Sequence, residues 1–90
     1  MSCMTYKVNN NLLSQQVGPE LLFFDADKAL VHSLNSTATE IYTMIKGGKT
    51  TEVILNKFLD NYDVDKTKAK KDIDLILREL LQKKIIFEKK

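Results

Sequence analysis

Ninety residues, a formal charge of +2, one cysteine and one histidine describe a single small domain and remove several function classes at the outset. A chain of this length buries only about 60% of its unfolded surface, so its core is modest; 43% hydrophobic and 29% charged content is ordinary for a soluble globular protein. The weak charge does not imply nucleic acid by itself, a lone Cys3 cannot close an internal disulfide and fits a reducing compartment, and no stretch approaches the ~18 apolar residues of a membrane span. No basic start followed by an apolar run marks a signal peptide, so the expected location is the cytoplasm.

Residues 1–10 are polar and unpatterned and are expected to form a flexible N-terminus, with the domain running from 11 to 90. Leu12 to Val17 reads as a first short strand, Gly18-Pro19-Glu20 as a turn, and Leu21-Leu22-Phe23-Phe24 as an apolar run of strand length. Asp25-Ala26-Asp27-Lys28 is a polar turn of hairpin length. From Lys28 to Leu34 the chain alternates: Leu30, His32 and Leu34 interleave with Ala29, Val31 and Ser33, the period of a half-buried strand. Three strands in a meander are the simplest outcome.

Asn35 and Ser36 offer oxygens that can cap a helix, and the first helix is expected over Ser36 to Lys46, with Ala38, Ile41, Tyr42 and Ile45 on its buried stripe. Gly47-Gly48 ends it, because glycine accepts a left-handed cap conformation. Thr50 or Thr51 caps a second helix with Glu52 favourable in its first turn; Ile54, Leu55, Phe58, Leu59 and Tyr62 form its apolar face. After a short connection over Asn61 to Val64, Asp65 caps a third helix from about Lys66 to Lys84. Its stripe is Ala69, Ile73, Ile76, Leu77, Leu80 and Leu81, with Asp74–Arg78 and Glu79–Lys83 placed for i,i+4 ion pairs. Ile85-Ile86-Phe87 is expected to pack back as an extended segment.

The chemistry of catalysis is absent. No Cys/His cluster is available for zinc, and no nucleophile sits beside a second titratable partner. His32 shares a face with Leu30 and Leu34 and reads as a partly buried structural histidine. Gly47-Gly48-Lys49-Thr50 fails as a phosphate loop: the first glycine of G-x-x-x-x-G-K-[ST] would fall on Thr43, and the segment joins helix to helix rather than strand to helix. Neither an enzyme nor a cofactor site is expected.

Two features are less ordinary. Successive residues of a helix are roughly 100° apart, which puts Leu75 off the apolar stripe, among Lys68, Asp72, Glu79 and Gln82. Lys66, Lys68, Lys70 and Lys71 crowd the start of the same helix, where cations oppose the helix dipole; they suggest an acidic partner or simply a solvated face.

The ordered series Leu34-Asn35-Ser36-Thr37-Ala38, Tyr42, Gly47-Gly48-Lys49-Thr50, Val53-Ile54 and Phe58-Leu59-Asp60-Asn61-Tyr62-Asp63-Val64, continuing through Asp72 and Leu80 to Ile85-Ile86, resembles the PqqD-like family over about residues 12 to 87. Members often carry Trp where Tyr42 stands and a glycine near Lys84. The resemblance implies an α+β fold, a three-stranded antiparallel sheet followed by three helices, related to winged helix-turn-helix domains. It implies recognition of ribosomally made peptides: binding the leader segment of a precursor and delivering it to a maturation enzyme such as a radical SAM protein, a cyclase or a leader peptidase.

In that family picture the leader adds as a strand to the edge of the third strand and lies against the third helix. Here the edge is Lys28, Ala29, Leu30, Val31, His32 and Ser33, and the wall is Asp72, Leu75, Ile76, Glu79 and Lys83. An edge strand offers unpaired N–H and C=O groups that an extended peptide can satisfy. Leu75 would then receive an apolar leader residue and the lysines would attract an acidic leader. The competing reading is a winged-helix DNA-binding regulator, against which stand the single arginine, Arg78, and a near balance of acids and lysines. A free edge also permits a strand-paired homodimer beside a monomer.

Overall fold

The computed structural model describes residues 5–88. Residues 1–4, Cys3 included, and 89–90 lie outside the described residues. The chain folds as α+β: β1 (Tyr6–Val8), β2 (Leu13–Val17), β3 (Glu20–Asp25), β4 (Leu30–Leu34), then α1 (Ser36–Lys46), α2 (Thr51–Asn61), α3 (Lys66–Gln82) and a final strand β5 (Ile86–Glu88). The expected meander is present as an antiparallel sheet in the order β2-β3-β4. Gly18 stands at φ +60 in the two-residue connection between β2 and β3, where hairpin turns that match the strand twist need a positive φ.

One expectation is corrected at the N-terminus. Tyr6–Val8 is a strand, paired antiparallel with Ile86–Glu88 in a separate two-stranded sheet. Tyr6 is only 8% exposed and joins the hydrophobic core. Asn9 clamps the junction: its backbone N–H donates to the Ile85 carbonyl at 2.9 Å, and its side-chain amide donates to the Lys84 carbonyl at 2.8 Å. A three-residue strand is too short for a period to show in sequence, and its partner lies at the far end of the chain. The domain therefore begins before residue 11.

The caps fall where the side-chain oxygens allow. Asn35 Oδ1 accepts from the Ala38 N–H at 2.9 Å, Thr50 Oγ1 from Val53 at 3.3 Å and Asp65 Oδ1 from Lys68 at 2.7 Å, each satisfying an otherwise orphaned amide of a first turn. Helix α1 ends as expected, Gly48 at φ +82 letting Lys49 N–H reach the Met44 carbonyl at 3.0 Å. Helix α3 stops at Gln82, short of Lys84, by the same geometry: Ile85 N–H donates to the Leu80 carbonyl at 2.9 Å and Lys84 N–H to Leu81 at 3.1 Å, with Lys84 itself at φ +60. This is a Schellman closure in which a lysine occupies the position that glycine fills most easily.

The core lies between the inner face of the meander and the helices. Phe23 meets Tyr42 edge-on, ring centres 5.0 Å apart. Ile41, Ile45, Ile54, Leu80, Ile85 and Ile86 are fully enclosed around them. The stripe expected on α1 is buried throughout; on α2, Ile54 and Phe58 are buried while Leu55, Leu59 and Tyr62 are half-buried, and on α3 Ile76 and Leu81 are half-buried. The ion pair that closes on α3 is Lys68–Asp72, 3.6 Å apart, rather than Asp74–Arg78 or Glu79–Lys83. It is solvent-exposed and adds little stability.

Candidate peptide-binding edge and cleft

Strand β4 pairs with β3 on one side, Phe24 opposite Val31 and Phe23 opposite His32, and ends the meander on the other. Among the described residues nothing pairs with its outer edge. Its sequence, Leu30-Val31-His32-Ser33-Leu34, contains no lysine, acid or proline, the devices by which sheet edges are usually blunted against further pairing. Strand β2 is the other free edge and is likewise uncharged. What distinguishes β4 is its neighbourhood.

Lys28 and Ala29, expected on the edge, lie instead in the turn between β3 and β4. Asp25 Oδ1 accepts from the backbone N–H groups of Asp27 and Lys28 at 3.1 and 3.3 Å, a local turn of the kind aspartate favours. Ala29 then takes φ +52 to lead the chain into β4. The edge proper is Leu30 to Leu34. His32 is half-buried opposite Phe23 and Leu34 is buried, as the alternation suggests, but Leu30, expected on the same face, is exposed at the start of the strand.

Where β4 runs into α1, an open cleft of about 410 Å³ separates that junction from α3. Asn35 and Thr37 form one side, and Asp72, Leu75 and Ile76 of α3 the other. Phe58, Tyr62 and Val64 supply the floor. The Phe58 and Tyr62 rings stack at 4.6 Å, and the Tyr62 hydroxyl donates to Glu40 Oε2 at 2.6 Å, which fixes the ring as a wall. Leu75 is 54% exposed and borders both this cleft and a shallow surface on the outer side of α3, where Lys71, Arg78 and Asp74 lie. Of the expected wall, Asp72, Leu75 and Ile76 are thus brought together with the end of β4. Glu79 is exposed further along α3 and Lys83 caps its end, both beyond the cleft.

The floor residues were not legible as site residues. Phe58 and Tyr62 carry the apolar spacing of α2 and read as core; only the packing of α2 against α3 leaves their edges open. Among the described residues no group of three or more His, Cys, Asp or Glu side chains could hold a metal ion, and no helix is long and apolar enough to cross a membrane. The arrangement can hold an extended chain: backbone groups along β4, an apolar hollow at the junction past its end, and hydroxyl and carboxylate groups at the rim.

The family model for coenzyme PQQ synthesis protein D (PqqD) matches residues 20–86. This chain belongs to the PqqD family. No curated protein matches it. Two solved structures share the fold. One is described as TbiB1 in complex with the TbiA(beta) leader peptide, at TM-score 0.80 and 21% identity, covering 89% of this chain and 93% of that one. The other, lasso peptide synthetase B1 complexed with the leader peptide, gives TM-score 0.82 and 18% identity, covering 91% and 96%.

Proposed function

We propose that this protein is a non-catalytic recognition element that binds the leader segment of a ribosomally made precursor peptide and presents it to a maturation enzyme. The observation that carries the reading is the unblunted edge of β4 leading, at Asn35, into an apolar cleft whose rim includes the exposed Leu75. An added strand gains main-chain hydrogen bonds from the edge and specificity from pockets for alternate side chains. Membership of the PqqD family supports it, and both structural neighbours hold leader peptides in their own complexes. The partner enzyme is of the class that modifies, cyclises or trims such precursors, and the protein works in the cytoplasm.

A kinship with winged helix-turn-helix domains makes α3 the counterpart of a recognition helix, but DNA binding is the weaker reading. Base readout favours Arg, Asn and Gln, and the exposed side of α3 mixes one arginine and several lysines with Asp72, Asp74 and Glu79. A peptide selected from a randomised library against the purified chain tests strand addition. N-methylation of alternate backbone amides should abolish its binding in one register and spare it in the other. Indifference to methylation in both registers rejects the proposal.

A further inference from the structure

The open edge of β4 is also the end of a row of apolar side chains on the opposite face of the sheet. Leu13, Phe24 and Val31 stand opposite one another across β2, β3 and β4. Phe23 points inward to Tyr42, so its neighbour Phe24 and the whole row point outward, because successive strand residues alternate faces. The three are 68%, 41% and 64% exposed. The next row on this face is Gln15, Leu22 and Ser33. Neither row contains a charge, and Leu22 alone among the six is half-buried, the others being exposed.

Resting on the reading that a peptide adds to β4, we propose that this outer face is a second specificity subsite, centred on Val31 with Phe24 behind it, which takes an apolar, β-branched or aromatic residue of the bound peptide. Any strand added beside β4 places one residue directly opposite Val31 with its side chain on the same face, Cβ atoms about 4.5–5.5 Å apart. That side chain lengthens the row from three members to four. The two flanking peptide residues point to the other face, on the side of Phe23 and the cleft. The peptide is therefore read from both sides, with its cleft-directed and outward-directed anchors an odd number of positions apart. A charged residue opposite Val31 would meet Val31 and Phe24 and find no charge of opposite sign in either row.

Val31→Thr tests this, since threonine keeps the β-branched shape and the backbone pairing while adding a hydroxyl to the row. A randomised dodecapeptide library is selected in parallel on the unaltered protein and on the variant, with unfolding curves for both. The unaltered protein should enrich peptides with two apolar positions at odd separation. The variant should lose the preference at one of them and keep the other, and should bind a peptide selected on the parent about three- to five-fold more weakly, the upper end expected of one apolar cross-strand pair. Apolar preferences confined to positions of one parity and unchanged by Val31→Thr overturn the outer subsite while leaving strand addition intact. Enrichment of no peptide, or of peptides whose alternate N-methylation is without effect, removes strand addition and the subsite with it.

Discussion

The two sheets of this molecule are put to different uses. The small sheet closes the described ends of the chain onto one another: β1 pairs with β5, Tyr6 is buried, and Asn9 ties the pair to the end of α3. The meander is left open. Strand β4 pairs on one side only, carries no blunting residue, and runs at its C-terminal end into the junction that lines the cleft. Paired strands contribute stability, whereas an unpaired edge keeps its hydrogen-bonding capacity for something else. Residues of the closed sheet should therefore govern stability and residues around the open edge should govern binding, with little crossover.

The largest expected effect lies on the closed side. Tyr6→Ala should cost about 3–5 kcal/mol in urea unfolding, the range for deleting a buried aromatic side chain. A decrease below about 1 kcal/mol would mean that β1 adds nothing to the domain. On the open side, Leu75→Ala should leave stability within about 0.5 kcal/mol, as an exposed substitution does. The same change should weaken a library-selected peptide roughly ten-fold by calorimetry, matching the ~1–2 kcal/mol that burying a leucine side chain under a peptide contributes. Reduced stability with unchanged affinity would put Leu75 on the wrong side of the comparison.

A smaller change sharpens the closed side. Lys84 holds a left-handed conformation at φ +60, which costs an L-residue roughly 1–2 kcal/mol, part of which glycine returns as unfolded-state entropy. Lys84→Gly should therefore raise stability by about 0.5–1 kcal/mol and leave peptide affinity alone; a destabilised variant would show that the lysine side chain itself holds the closure. The smallest effect is set by pH. Burial, then the charges of Glu88 and Asp74, push the Tyr6 hydroxyl above its ordinary 10.0. The folded state then holds its proton after the unfolded state has released one, so stability is complete below about pH 10 and falls as pH rises beyond it. Tyr6→Phe should flatten that alkaline slope, whatever it does to the level. An unchanged slope would assign the alkaline decline elsewhere, with Tyr42, also raised by burial, the next group to test.

Much of this architecture is legible in local signals. The α1 boundaries follow from Asn35 at one end and Gly47-Gly48 at the other, and its stripe from helical spacing, because caps and amphipathic period are properties of a few neighbouring residues. Leu75 is identifiable by its angle alone. Strand β1 is not, since three residues show no period and their partner is at the other end of the chain. Lys28 and Ala29 continue the alternation of β4 on paper, but the Asp25 side chain draws them into the turn. The cleft floor is hidden for a different reason: Phe58 and Tyr62 look identical in sequence whether their rings are covered or left open at one edge.

The sequence by itself determined the order of elements from β2 onward, the caps, the apolar stripes, the family and the uncharged character of β4, all of which depend on residue type and short spacing. The tertiary structure alone decided which distant segments pair. Pairing between distant segments sets which backbone groups remain unsatisfied, so only the fold shows β1 meeting β5, the row of Leu13, Phe24 and Val31 forming in register, and β4 left unpaired on its outer side.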